Sequence, residues 1–415
     1  MEKGTILMTE EGPKNWAIRN TQYFDSNRGE LVRADIEIEG TRIARITPPN
    51  WSNIGAKVHG EAFVCMPGFV SVDASEFWTA GMNRVISGEA REEHVTDLGS
   101  RKSERMLFAL TQAMLCGYTT FGVFADDPVS VGRMAEQIGA RAVVHLTCSD
   151  RWLGEGQGPQ QRPWDEFVRS YLNHLQTIDD DTLSIGVGIE SLLCVSPELA
   201  VQLHRFGKAR ACHFIARVND GTPFTRNFLD AYACSGARLL ENLGVLDETT
   251  TLIFDGRVGS SEWRLIKRSG AAVIRPLAPR SYTDSFESAT PGGDLGLPVT
   301  LAGPIAPGDA VGLVSRLTRE AADALGLRAV GSITPGMPAD IQFHQRLVQS
   351  NGNGTSTAAL VGQALSNRPA HVLTNGRWTV RNYGCCTAFP TTSTITQHWS
   401  CMNPDAHVQQ AEKQA

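Results

Sequence analysis

Two polar side chains stand at the end of an apolar run in the segment CMPGFVSVDAS, residues 65–75. The run follows a Pro-Gly turn and predicts a buried strand that ends in Asp73-Ala74-Ser75. Side chains two positions apart on a strand point the same way, so we expect Asp73 and Ser75 to share one face. A buried strand that delivers two aligned polar groups is typical of a catalytic site.

Three further residues able to transfer protons lie at or after other apolar runs. They are Glu190 after LSIGVGI, His213 in ARACHFI and Asp255 after TTLIF. Like charges at short range raise the pKa of a carboxyl group and a nearby imidazolium lowers it, so an acid and a base can coexist near neutral pH. We expect His213, Asp73 and Asp255 to form the catalytic centre.

A second set of residues is expected to bind the substrate. Arg257 and Arg275 follow the sixth and seventh apolar runs and would hold an anionic group. Cys148 follows the third run and would face the pocket, as a substrate contact or as a thiolate nucleophile. Glu190 and Ser75 complete this set. Each of these roles has a structural alternative. An Asp at a strand end often caps the next element, an Arg there often forms an ion pair with such an Asp, and an isolated Cys is often inert.

The predicted strands and helices that position these residues alternate along the chain as in a parallel barrel. Short apolar runs alternate over residues 67–335 with helical patterns such as WDEFVRSYLNHLQTI and SPELAVQLHRFG. This alternation predicts an α/β fold, a parallel (β/α)8 TIM barrel that carries the active site. Short alternating runs over residues 1–66 and 336–390 predict strands from both chain ends that complete one small sheet domain. Residues 391–415 are polar and predict a loosely attached C-terminal tail.

Composition narrows the classes of function. A net charge of −6 over 415 residues, with a sequence pI near 6.0, disfavours a nucleic-acid binder. No apolar run approaches the roughly 18 to 20 residues that cross a bilayer, and the segment MEKGTILMTEEGPK lacks the apolar centre of a signal peptide. The nine cysteines contain no CxxC spacing, which fits a reducing compartment. We expect a cytoplasmic protein that acts on a small molecule, with neither a nucleic acid nor a membrane as partner.

Six segments in order resemble the amidohydrolase superfamily, in the branch of cytosine deaminases and triazine hydrolases or chlorohydrolases. They span residues 17–384 and are IEIEGTRIARITPP, CMPGFVSVD, GYTTFGVFADDP, VSPELAVQLHRFG, ALGLRAVGSITPGMPADIQFH and VLTNGRWTVRNYG. The resemblance implies a barrel between two halves of a β-sandwich. It also implies a homodimer or larger assembly, although the sequence itself shows no recognisable subunit interface.

The metal ligands that the resemblance implies are mostly replaced. Where the superfamily has a His-x-His pair after the first barrel strand, this chain has Asp73 and Ser75. A histidine on the fifth strand matches His213, whereas the sixth strand has Asp255 in place of a histidine and the eighth has Pro304 in place of an aspartate.

Two more positions depart from the superfamily pattern. The acid/base glutamate three residues after the fifth-strand histidine falls at Ala216, with Arg217 beside it, and a substrate-contacting histidine is replaced by Glu190. Zinc in a hydrolytic site needs at least three protein ligands, and proline has no donor atom. We therefore expect no metal and no other cofactor. If a metal is bound, zinc or iron is expected, and Asp73, His213 and Asp255 are its first ligands.

Three classes of function remain open. The first is a metal-independent enzyme of acid/base chemistry, a hydrolysis, cyclisation, elimination or isomerisation of a small polar metabolite that carries an anionic group. The second is a metal-dependent C–N bond hydrolase or deaminase with rearranged ligands. The third is a non-catalytic binding protein with the amidohydrolase fold. Charged groups at several strand ends favour an enzyme, because charges in a barrel mouth are costly unless a ligand or partner compensates them.

Overall fold

The structure is a computed structural model, which describes the chain in segments. Described are residues 15–74, 106–107, 110–111, 113–154, 158, 161–177, 182–219, 225–254, 260–274, 307–346 and 356–386. The predicted eighth barrel strand and the predicted tail of residues 391–415 lie outside these segments.

Strands from both chain ends form one nine-stranded sheet. Its order is β16-β15-β14-β13-β5-β1-β2-β3, with β4 paired to β1. The strands are β1 Asn15–Asp25, β2 Glu30–Glu39, β3 Arg42–Thr47, β4 Lys57–His59, β5 Phe63–Pro67, β13 Ile341–Gln345, β14 His371–Thr374, β15 Arg377–Arg381 and β16 Gly384–Cys385. The two ends meet where β5 and β13 pair antiparallel. The strands thus join as one hydrogen-bonded sheet, and the β-sandwich stays a prediction.

The middle of the chain forms a separate parallel sheet of seven strands in sequential order, β6 to β12. The strands are β6 Phe69–Ser71, β7 Tyr118–Ala125, β8 Arg141–Thr147, β9 Leu183–Ile189, β10 Phe214–Asn219, β11 Thr250–Phe254 and β12 Ala272–Ile274. Each strand is parallel to its neighbours. These seven strands match seven of the apolar runs in the sequence, in the order that a parallel barrel requires.

Helices connect the strands of the parallel sheet, and the last helix connects β13 with β14 of the nine-stranded sheet. They are α1 Pro128–Ile138, α2 Trp164–Thr177, α3 Pro197–Ala209, α4 Thr225–Tyr232, α5 Gly236–Asn242, α6 Ser260–Ser269, α7 Pro307–Ser315, α8 Ala321–Ala324 and α9 Thr357–Leu365. Helix α3 shows how the sequence sets a boundary: the Ser196 side chain accepts the Leu199 backbone N–H at its first turn, and a proline follows Ser196. Within the described segments, no helix has both the length and the apolar character to cross a membrane.

The two faces of the parallel sheet pack against different partners. On β10, Phe214, Ala216 and Val218 belong to the apolar cluster that lies against the helices. Ile215 lies between them in the sequence and belongs to a second cluster, with side chains from other strands and from α8. Because side chains alternate along a strand, Ile215 and Arg217 occupy the inner face of β10.

A buried polar cluster joins the parallel sheet to the nine-stranded sheet. Arg141, the first residue of β8, forms an ion pair with Asp340 and donates to the Asn375 side chain. It also donates to the Thr120 hydroxyl at 3.3 Å, and Asp340 accepts the Asn375 backbone N–H at 2.8 Å. A buried charge needs such partners, so this cluster fixes how the two sheets meet.

Candidate functional site

Asp73 lies just beyond the carboxyl end of β6, where active sites of parallel barrels are found. Its side chain is 1% exposed and forms an ion pair with Arg217, which reaches it from the inner face of β10. The Arg217 guanidinium also lies over the Phe124 ring, 5.4 Å from the ring centroid. A carboxylate and a guanidinium thus meet at the carboxyl edge of the sheet, beside an aromatic ring.

His145 on β8 lies deeper in the same interior. Its Nε2 lies 3.0 Å from the Val72 carbonyl oxygen, and a carbonyl only accepts, so Nε2 carries the hydrogen. Burial lowers the pKa of His145 to about 4, opposed by the Val72 hydrogen bond and by Asp73. Within the described part of the chain, Nδ1 has no hydrogen-bond partner, which fits a neutral ring.

Two glycines leave the space that the His145 ring occupies. A Cβ at Gly122 would lie 2.6 Å from His145 Nε2 and 2.0 Å from the Val72 oxygen. A Cβ at Gly188 would lie 2.7 Å from the His145 Cβ. Residues larger than glycine at these two places on β7 and β9 would therefore push the imidazole or the β6 backbone aside.

His213 lies at the opposite end of the strand from the position that the sequence predicts. It precedes β10, whose first residue Phe214 pairs with Thr250, the first residue of β11. Thr251 donates its hydroxyl hydrogen to the Ala324 carbonyl at 3.0 Å, so His213 Nε2 donates to the Thr251 oxygen, 2.5 Å away. Burial lowers the pKa of His213 to about 4, and repulsion between the protonated forms of His213 and His145 acts in the same direction.

The predicted placement of His213 beside Asp73, in a centre with Asp255, is therefore corrected for His213. Arg217 follows His213 by four residues, a rise of about 13 Å along a strand. Asp73 pairs with Arg217 at the carboxyl edge, while His213 bonds Thr251 at the amino edge. The physical reason is the position of the strand boundary: β10 begins at Phe214, so His213 precedes the strand. His213 is part of the barrel floor.

Cys148 also differs from its predicted place. It continues the outer face of β8 and packs in the cluster between sheet and helices, so it does not face the pocket. Its thiol donates to the Arg162 carbonyl, with 3.1 Å between sulfur and oxygen. Burial, with a smaller contribution from Asp150, raises the pKa of this thiol to about 12. A thiol in this state is a poor nucleophile at neutral pH.

The remaining candidates divide between the carboxyl edge and segments that are not described. Glu190 is exposed and lies one residue beyond the carboxyl end of β9, on the predicted edge. Ser75, Asp255, Arg257 and Arg275 lie outside the described residues, as does Pro304, so their roles stay predictions.

Arg217 is the site residue that sequence reasoning missed. The alternation of apolar Phe214, Ala216 and Val218 in FIARVN could have found it, because this period places Arg217 on the inner face. The burial expected for Asp73 was a second signal, since a buried carboxylate requires a positive partner or hydrogen-bond donors.

The described residues do not fit a zinc site of the hydrolytic type. The Asp73 carboxylate is engaged by the positive charge of Arg217, which repels a divalent cation. The nitrogen of His213 that faces Thr251 carries a hydrogen and cannot bind a metal in that state. Among the residues that the structure describes, no group of three or more His, Cys, Asp or Glu side chains is arranged to hold a metal ion.

Comparison with known proteins identifies the fold. A scan against protein-family models found no match, and a search of curated protein sequences found no significant relative. Solved structures with similar folds include a triazine hydrolase variant, at a TM-score of 0.69 and 17% identity, which covers 94% of this chain and 99% of that one. An atrazine chlorohydrolase from Arthrobacter aurescens complexed with zinc has a TM-score of 0.68 and 17% identity, with 93% and 99% covered.

A deaminase shares the same fold. The adenosine deaminase from Xanthomonas campestris with bound zinc has a TM-score of 0.68 and 13% identity, with 92% of this chain and 96% of that chain covered. All three are proteins of the amidohydrolase superfamily, which the sequence segments also resemble. At these identities the likeness establishes the fold: the chain shares the TIM-barrel-type fold of these structures, which align with nearly its whole length.

Proposed function

We propose that this chain is an amidohydrolase-like enzyme that performs acid/base chemistry at the carboxyl edge of its parallel sheet. Its substrate is a small polar metabolite with an anionic group, and the reaction is a hydrolysis, cyclisation, elimination or isomerisation. The proposed reaction uses no tightly held metal. The enzymes that share its fold support a hydrolase as the first class to test.

The observation that carries the proposal is the ion pair of Asp73 and Arg217 at this edge. Ion pairs inside a protein cost desolvation energy, and apolar side chains of similar volume often give equal or greater stability. An ion pair at the edge where parallel barrels hold their active sites therefore favours a role in chemistry over a role in packing.

Asp73 is the proposed proton acceptor. Its carboxylate lies beyond β6, and Arg217 holds it in one orientation, as a general base requires. A water molecule or an acidic C–H or N–H of the substrate would give its proton to Asp73. The Asp73 carboxyl group, once protonated, would return the proton to the leaving group of the substrate. Asp255, Glu190, Arg257 and Arg275 stay proposed members of this centre and its substrate contacts.

The test is turnover by the full chain with and without metal. The purified protein is dialysed against a chelator and assayed on a panel of linear amides, cyclic amides and lactones that carry a carboxylate. We expect turnover that survives chelation and is lost in Asp73→Asn, whose fold is checked by circular dichroism. His59→Gln on β4, with its exposed side chain, is the matched control and is expected to keep full activity.

A metal-dependent hydrolase of C–N bonds is the second candidate, because the chlorohydrolase and the adenosine deaminase of similar fold hold zinc. The same experiment separates the two candidates. Turnover that disappears on chelation and returns with stoichiometric zinc would support the second and refute the first. Substrate binding with no turnover by either form would support the third class, a non-catalytic binding protein.

A further inference from the structure

We infer that Arg217 binds a carboxylate of the substrate at the active-site edge. This inference rests on the proposed function, and it assigns the anion-binding role to a residue of the inner face of β10. The sequence predicts Arg257 and Arg275 for that role.

The first step of the argument is that the guanidinium is held in place on two sides. Asp73 binds the guanidinium through the ion pair, and the guanidinium lies over the Phe124 ring, 5.4 Å from the ring centroid. A planar guanidinium that is already oriented loses little further freedom when it binds a carboxylate. Arg217 is thus organised before any ligand arrives.

The second step is the difference in exposure between the two charges. The Asp73 side chain is 1% exposed, whereas that of Arg217 is 16% exposed. Of the two side chains, that of Arg217 is therefore the more accessible to a molecule in solvent. A guanidinium has five N–H donors, more than the carboxylate of Asp73 can occupy.

The third step selects the kind of anion. A carboxylate carries one negative charge and matches the two-pronged geometry of a guanidinium. A phosphate monoester carries nearly two negative charges at neutral pH, and Asp73 lies beside the guanidinium to repel them. The arrangement therefore favours a monoanionic carboxylate over a phosphate.

The test is equilibrium binding to the full chain, measured by calorimetry. Succinamate has one carboxylate and one amide, succinamide is its uncharged counterpart, and inorganic phosphate tests the competing anion. We expect the wild-type protein to bind succinamate at least about tenfold more tightly than either of the others, the scale of one charge-assisted interaction. Arg217→Lys keeps the charge, loses the planar fork, and is expected to weaken succinamate binding about tenfold or more.

A second variant keeps the test valid if removal of one charge unfolds the protein. Asp73→Asn with Arg217→Met removes both charges together and is expected to fold and to lose succinamate binding. Arg162→Lys is the matched control, because Arg162 is similarly covered and pairs with Asp126 and Glu166 elsewhere. It is expected to leave the succinamate affinity unchanged.

The outcomes separate the inference from the proposed function. Equal succinamate affinity in the wild type and in both Arg217 variants, or no detectable succinamate binding by the wild type, would overturn the inference even if the protein is an active enzyme. Binding that depends on Arg217 supports the inference even if no substrate has been turned over.

Discussion

Acid is expected to destabilise the barrel through two imidazoles of its interior, the buried His145 and the half-buried His213. Both have a pKa lowered from 6.5 to about 4 in the folded protein, chiefly because burial penalises the charged ring. The unfolded chain binds more protons than the folded one between these values. The free energy of unfolding therefore falls as the pH is lowered through this window, and it is fully retained above about pH 7.

The size of the effect follows from the two pKa values. For one histidine that titrates at 6.5 when unfolded and at about 4 when folded, linkage gives a loss of about 2 kcal/mol between about pH 8 and about pH 5. His145 and His213 together then account for a loss of about 4 kcal/mol. A loss of this size is a large part of the stability of a typical domain.

The assay is urea unfolding followed by circular dichroism at both pH values. Wild type is compared with the double variant His145→Gln and His213→Gln, in which glutamine keeps an N–H donor but does not titrate. We expect the double variant to lose about 4 kcal/mol less than the wild type on acidification. His59→Gln, with an exposed side chain, is the control and should follow the wild type. An unchanged pH dependence in the double variant would refute the reasoning.

Three further predictions concern the interface between the two sheets, the centre and the assembly. Asp340→Ala should lower the free energy of unfolding by about 3–5 kcal/mol, because it leaves Arg141 buried without its carboxylate. The double variant Arg141→Met with Asp340→Leu should restore most of this stability, and denaturant curves that show equal stability for the single and the double variant would contradict the prediction. Asp73→Asn and Asp255→Asn should each lower turnover about 100-fold or more while circular dichroism stays unchanged, and full activity in both would move the centre elsewhere. The proposed homodimer should give twice the chain mass by light scattering at micromolar concentration, and a monomer would remove it.

The order of the strands was accessible from the sequence because each strand of a parallel sheet is buried on both faces. Runs such as RAVVHLT and LSIGVGI are therefore almost continuously apolar and stand out from the amphipathic helices between them. Short strands at both chain ends suggested one shared domain, but which strands pair across the ends was not accessible from local patterns. Contacts between β5 and β13 join segments too distant in sequence for local patterns to reveal.

The site was harder to predict because a shift of a few residues in a strand boundary moves a side chain to the other end of the sheet. His213 shows this: its segment was assigned to the correct strand, but the strand runs from Phe214 to Asn219 and leaves the imidazole at the floor. Cys148 was expected to face the pocket, but it follows β8 on the outer face of the sheet, against the helices. Arg217 was passed over because an arginine inside an apolar strand has no clear reason to be there until its partner Asp73 is seen.

The pairing of β5 with β13 has a consequence for how the chain is made. Gln342 of β13 and Pro67 of β5 are 275 positions apart, and they are joined by a hydrogen bond of 2.7 Å. A ribosome that adds about 5–20 residues per second needs tens of seconds to synthesise that interval. Throughout this time β5 presents an edge whose partner strand has not yet been made, and open edges of this kind recruit other chains. During this interval the nascent protein depends on protection of the β5 edge from aggregation.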